Sequence, residues 1–191
     1  VCFTISAAEP NSTYLSTMGS ALGVVVSIAI PLSGGVVGGV LARKSVNKWY
    51  DGLKKPSWTP PKWLFAPAWT ILYTCMGVAS WLVYTDGGFS RHALPLGIYG
   101  AQLALNFAWT PLFFGAKKAG LALADIGLLG IAAAYTCSLF WAVNPLAGKL
   151  LVPYLAWISY ATALNTSIFV NNTNGAAPSD AAASKQKGKA K

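Results

Sequence analysis

Charge is what this sequence has least of. Only 10% of its 191 residues are Asp, Glu, Lys or Arg, against about 25% in an ordinary soluble domain. A water-facing surface cannot be built over a whole globule from so few charges. Acids are scarcest: Glu9, Asp51, Asp86, Asp125 and Asp180 are scattered, and no two stand close enough in sequence to read as an acid–base dyad. The single histidine, His92, sits beside Arg91 and leaves no nucleophile–histidine or metal-ligand pattern. Three cysteines occur without a CxxC spacing; Cys75 and Cys137 lie in apolar runs and read as small core residues. No P-loop or dinucleotide fingerprint is present. These absences exclude the common hydrolytic, nucleotide-binding and metal-dependent classes, and no metal site or required cofactor is expected.

Apolar length is what remains. The chain is 54% hydrophobic with a mean hydropathy of +0.50. Five apolar blocks stand out at about 18–42, 63–85, 93–116, 119–143 and 150–171, and Asp125 is the only acidic or basic residue in any of them. Each is long enough at 1.5 Å per residue to cross a hydrocarbon layer of about 30 Å. The expected fold is therefore all-α, an integral membrane bundle of five transmembrane helices over 18–171. A polar leader (1–17) precedes it, and a small, polar, lysine-bearing tail (172–191) of disordered composition follows. Asp125 lies about two turns inside its block, the depth at which an ionisable group becomes a functional candidate; Lys117 and Lys118 nearby favour an interfacial structural role equally.

The net charge of +9 is a statement about sidedness rather than about nucleic acid. Twelve of the fourteen basic residues fall before the second block, between the third and fourth, or after the fifth. Only Arg91 and Lys149 fall on the other side. The positive-inside rule then places the carboxyl end in the cytosol. The leader lacks the arginines of a mitochondrial presequence.

Glycine and tryptophan carry the finer pattern. In "SGGVVGG", Gly34 and Gly38, and Gly35 and Gly39, make overlapping small-xxx-small pairs for close helix packing within the bundle or across a dimer. Eight tryptophans include Trp69, in helical register with Tyr73 and Met76, and Trp157, in register with Ala161 and Leu164 beside Asn165. Gln102, Asn106, Trp109 and Phe113 form a third stripe, and its amides need partners away from lipid. Trp49, Trp58 and Trp81 fit a membrane-surface belt. Aromatic walls with a few polar groups describe a pocket for a flat, largely apolar ligand. The segment "KPSWTPPKW" (55–63) is too proline-rich for a helix interior. Lys55, Trp58, Pro60, Pro61 and Lys62 read either as a stiff lid whose lysines attract ligand carboxylates or as a headgroup-level anchor.

The stretches "KWYDGLKKPSWTPPKW", "APAWTILYTCMG", "GGF", "PLGIYGAQLALNFAWTPLFFGAKKAGLALAD" and "LLVPYLAW" followed by "LN" resemble the translocator protein family, also called tryptophan-rich sensory proteins or peripheral-type benzodiazepine receptors. The resemblance implies a five-helix bundle that binds porphyrins such as protoporphyrin IX and haem, serving tetrapyrrole sequestration or transport. It implies a pocket of Gly39, Ala42, Phe65, Ala66, Ala68, Trp69, Trp109, Leu121, Ala124, Trp157, Ala161 and Leu164, capped by the first basic-side loop. Trp69 and Trp157 match tryptophans tied to light-dependent porphyrin breakdown, the alternative enzymatic reading. A sterol-binding transporter is the third. The family often has tryptophan where this chain has Leu121, and "LNTSIFVNN" lacks the Tyr and base of the cholesterol-recognition pattern, which favours porphyrin over sterol. Membrane lipid and a second copy of the chain are the other implied partners. The mitochondrial outer membrane is the first expected location; the endoplasmic reticulum is second, for the dilysine-like Lys187 and Lys189 near the end.

Overall fold

The computed structural model describes residues 12–46 and 49–173. Helix α1 (Ser12–Val46) leads through a single 3-10 turn at Tyr50–Gly52 into α2 (Lys62–Thr85). Helix α3 (Gly88–Thr110) runs on into a turn of π-helix at Pro111–Gly115, followed by α4 (Ala119–Val143) and α5 (Pro145–Thr173). There is no strand among the described residues. The chain forms an all-α membrane bundle. The helices α1, α2 and α4 are long and apolar enough to cross a bilayer, over Ser20–Arg43, Lys62–Thr85 and Ala119–Val143. The other two, α3 and α5, match them in length but are diluted by Gln102, Asn106 and Asn165, all buried.

The helix ends follow local chemistry. Asn144 alone joins α4 to α5, and its Oδ1 accepts the amides of Leu146 (2.9 Å) and Ala147 (3.3 Å). With Pro145 in the first helical position this is an N-cap, so α5 starts before the apolar block does. Gly87 (φ 129°) and Gly88 (φ 62°) adopt left-handed backbone that side chains resist, which permits the tight α2–α3 turn. The first turn of α3 kinks at His92 (φ −121°, ψ 38°), and the uninterrupted helix follows it. At the amino end, Ser12–Thr17 belong to α1, so part of the polar leader is helical; residues 1–11 and 174–191 lie outside the described residues.

The contacts order the helices as a ring, α1–α2–α5–α4–α3, closed by α3 against α1. Met76, Ala79, Val83, Ile126, Leu129, Phe140, Tyr154 and Ile158 fill its centre. One face of α4, with Leu121, Ala124, Leu128, Ile131 and Tyr135 at helical spacing, stays exposed as a lipid-facing stripe. Helix α1 is the loosest member, with 6% of its apolar window buried against 39% for α2.

What holds α1 is close approach at glycine. At Gly77 of α2 an added Cβ would lie 2.5 Å from Ile28 Cα and 2.6 Å from the Ser27 carbonyl oxygen, so backbone meets backbone. That carbonyl is the one left free by Pro31, which has no N–H to donate to it. Of the four glycines in "SGGVVGG", Gly34 faces Phe107, Gly35 faces Tyr73 and Gly38 faces Thr110, whereas Gly39 faces open space.

Candidate functional site

Inside the ring, polar side chains staple α3 to α2 and to α5 across the centre, and α5 to α4 beside it. Tyr73 of α2 donates its hydroxyl to Asn106 Oδ1 (2.7 Å) on α3. Asn106 Nδ2 donates to the Tyr154 hydroxyl (3.1 Å) on α5, which in turn donates to Gln102 Oε1 (2.9 Å). Nearer the loop, Trp109 Nε1 donates to Asn165 Oδ1 (3.3 Å), and Asn165 Nδ2 donates to the Ala119 carbonyl (2.9 Å) at the start of α4. Both amides of the α3 stripe therefore face inward, where hydrocarbon offers no competing partner.

The aromatic residues form two groups. In the first, Trp69 stacks on Tyr73 (centroids 5.1 Å, planes 28°) and meets Trp157 edge-on at 6.3 Å. Phe65 touches Trp157 edge-on at 6.0 Å, and Trp157 tilts against Tyr160 at 6.0 Å. Beside this group an apolar groove of about 420 Å³ runs between α2 and α5, lined by Ala68, Ile71, Leu72, Pro153, Ala156, Trp157 and Tyr160. In the second group Trp109 stacks on Phe113 (4.9 Å, 14°), with Trp49 and Tyr50 edge-on to the same ring at 5.5 and 6.3 Å. Leu164 packs into it. Burial, with Tyr160 and Asp51 adding to it, holds the Tyr50 phenol above its ordinary pKa, so it stays neutral.

The loop between α1 and α2 is fastened rather than loose. Tyr160 donates its hydroxyl to the Trp58 carbonyl (2.8 Å), and the two rings meet edge-on at 5.5 Å. Asn172 of α5 accepts the Lys54 amide (3.0 Å) and donates to the Lys54 carbonyl (3.1 Å). The Lys55 ammonium donates to the carbonyls of Tyr50 (2.7 Å), Asp51 and Leu53 (both 3.2 Å) and lies 4.8 Å over the Tyr50 ring. Lys62 pairs with Asp51 at 2.6 Å. Lys55 closes the loop on itself, and Lys62 holds an acid in a half-exposed pair. Pro60 is half-buried and Pro61 exposed, just ahead of α2.

The residues implied for a pocket do not all converge. Phe65, Ala68, Trp69, Trp157 and Ala161 belong to the α2–α5 aromatic group or the core packed against it. Trp109 and Leu164 belong to the second group; Ala42 is buried on α1. Leu121, 53% exposed, and Ala124 lie on the outward stripe of α4, and Gly39 and Ala66 are exposed as well. Trp49 is half-buried against Phe113, Trp58 touches Tyr160 edge-on but stays 47% exposed, and the Trp81 ring lies over Gly23 of α1. Asp125 is buried, with one carboxylate oxygen lacking a partner among the described residues. No cluster of three or more metal-ligating side chains occurs among the described residues.

Sequence reasoning passed over Tyr154, Tyr160, Asn172 and Asp51. Pro153, Ala156, Trp157 and Tyr160 follow i, i+3, i+4, i+7 spacing, and Ala68, Ile71 and Leu72 follow i, i+3, i+4, so both groove walls are visible as stripes. Nothing in the sequence pairs Asn172 with Lys54, which are 118 residues apart.

Fold and site together define a class: a tryptophan-rich, all-α membrane bundle with an amide-stapled interior and a structured loop over one end. Residues 27–170 match the TspO/MBR family, and the chain belongs to it. It is 49% identical over 142 residues to the translocator protein of Sus scrofa, covering 71% of this chain and 84% of that protein. The translocator protein of Homo sapiens is 47% identical over 144 residues, covering 74% and 85%. A tryptophan-rich sensory protein of Cereibacter sphaeroides is 42% identical over 128 residues, covering 67% and 79%.

Proposed function

We propose that this membrane protein binds tetrapyrroles, protoporphyrin IX and haem among them, to sequester or carry them within the membrane. The observation that carries the reading is the perpendicular contact of Trp69 with Trp157, flanked by Phe65, Tyr73 and Tyr160, beside an apolar groove. Aromatic faces and edges of this kind suit a flat conjugated ring better than a saturated, puckered one. A groove of about 420 Å³ lies in the range of small-molecule sites.

A second reading, light-dependent porphyrin degradation, is supported by the continuous run Trp157–Trp69–Tyr73, with successive centroids at 6.3 and 5.1 Å. Oxidising equivalents taken up at one indole have neighbours to move to. Titrating the purified protein with protoporphyrin in the dark and then under illumination tests both. Saturable tryptophan quenching at micromolar porphyrin, equivalent to about −8 kcal/mol, with a stable porphyrin band supports binding alone. Bleaching that needs intact Trp69 and Trp157 supports the second reading. Absence of saturable quenching refutes both.

The proposal includes an orientation. The first loop and the end of α5, which are hydrogen-bonded to each other, face the cytosol on the basic-residue asymmetry. The mitochondrial outer membrane is the proposed location, and pairing of two copies the proposed assembly.

A further inference from the structure

The loop over the bundle is shut, and the side of the bundle is open. On the loop side Tyr160 holds the Trp58 carbonyl, Asn172 holds both backbone groups of Lys54, and Lys62 is paired with Asp51. A ligand approaching from water has to undo several of these contacts. The groove between α2 and α5 presents no such barrier. Ile71, Pro153 and Ala156 on its rim are exposed, on helices whose outer faces meet hydrocarbon. The depression comes from small side chains, Ala68 on one wall and Ala156 on the other, beside the larger Ile71 and Tyr160. Leu72 is its buried lining residue, beside the half-buried rings of Trp157 and Tyr160, and the Trp157 indole N–H is buried with no acceptor among the described residues. In a medium without water, an unmade donor of this kind favours a ligand that brings an acceptor. Acyl chains fill apolar grooves but gain little from aromatic walls.

We infer that the α2–α5 groove is a lateral binding site, open to the hydrocarbon of the bilayer, for a flat aromatic molecule carrying a hydrogen-bond acceptor. Such a molecule reaches Trp157 from the membrane without the loop opening. The inference rests on the reading that the aromatic group around Trp157 binds ligands, and it specifies the ligand's physical form and route. It also assigns Tyr160 a place in both walls: its ring lines the groove while its hydroxyl latches the loop.

Benzophenone suits the test, because it is an apolar aromatic ketone that partitions into bilayers and cross-links nearby C–H bonds under long-wave ultraviolet light. The full chain in nanodiscs is photolabelled with benzophenone alone, and the adducts are mapped by mass spectrometry. Expected is labelling at Ile71 and Ala156 several-fold above that at Leu128 and Ile131, which face lipid on α4 and report ordinary bilayer exposure. Ala156→Trp fills the groove and brings its labelling down to the α4 level, while α4 labelling itself stays unchanged as the control for folding. Asn172→Ala unfastens the loop and leaves groove labelling unchanged. Even labelling of α2, α5 and α4 in the wild-type chain overturns the inference, as does groove labelling that rises when the loop is unfastened. Protoporphyrin as competitor separates this inference from the proposed function. Focused labelling that protoporphyrin displaces supports both. Focused labelling that it does not displace keeps the lateral site and counts against tetrapyrrole as its ligand. Even labelling alongside saturable protoporphyrin quenching retires the lateral site alone.

Discussion

Changing Tyr154 to Phe removes one oxygen from the centre of the bundle and tests whether the polar staples matter. That hydroxyl accepts from Asn106 Nδ2 at 3.1 Å and donates to Gln102 Oε1 at 2.9 Å, two of the bonds by which α5 reaches across to α3. Interhelical hydrogen bonds in membranes contribute about 0.6 kcal/mol each on average, with a maximum of about 1.7. Two of them therefore give about 1–2 kcal/mol. Gln102 Nε2 already lacks a partner among the described residues, so losing the Oε1 contact as well leaves a fully buried amide without one, at a further cost of about 1–3 kcal/mol. The expected destabilisation is about 2–5 kcal/mol. Tyr73→Phe breaks one bond to Asn106, whose Nδ2 keeps its contact with Tyr154, and should cost about 1 kcal/mol. The two substitutions share Asn106, so the double variant should depart from additivity by about 0.5 kcal/mol or more. SDS titration of the folded protein in mixed micelles, followed by circular dichroism, gives all three values. A Tyr154→Phe variant within about 0.5 kcal/mol of wild type, or one less destabilised than Tyr73→Phe, refutes the argument.

Three further outcomes follow from named contacts. Gly77→Ala drives a methyl into the Ile28 backbone at 2.5 Å and should destabilise the same SDS transition by about 1–3 kcal/mol, whereas Gly39→Ala, which meets open space, should leave it unmoved. Lys55→Gln removes an ammonium bonded to three carbonyls and should expose the 49–61 loop to limited proteolysis; Lys62→Gln removes only a half-exposed ion pair worth about 0–1 kcal/mol, and should leave the cleavage rate unchanged. Single cysteines introduced at Ser57 and at Asn171 should react with an impermeant maleimide from the same side of the membrane, since the loop and the end of α5 are bonded together; opposite sidedness overturns the helix order.

Much of this protein is determined by its sequence alone. The absence of charge from five apolar blocks requires a membrane solvent, and in that solvent helices satisfy their own backbone groups, so an all-α bundle follows. Gln102, Asn106 and Asn165 had to face inward because amides have no partners in lipid, and they do. Asn144 and Pro145 announce the start of α5 by cap chemistry, although hydropathy, which counts Lys149 against the helix, places it later. Periodicity goes no further than naming a face of each helix. It does not say which helix that face meets, because meeting depends on crossing angle and ring order, and these are set by contacts between residues far apart in the chain. The tertiary structure alone decided that three glycines of "SGGVVGG" face the bundle and the fourth, Gly39, does not, and that Leu121 and Ala124 look out of α4 while Ala122 and Asp125 look in. It also decided that Lys55 turns back on its own loop. A lysine in sequence carries a charge and a length of reach; the carbonyls of Tyr50, Asp51 and Leu53 become its partners only once the 3-10 turn has folded them towards it. The α2–α5 groove is of the same kind, for it lies between two stripes that are each legible, yet nothing in either stripe tells it to stand beside the other.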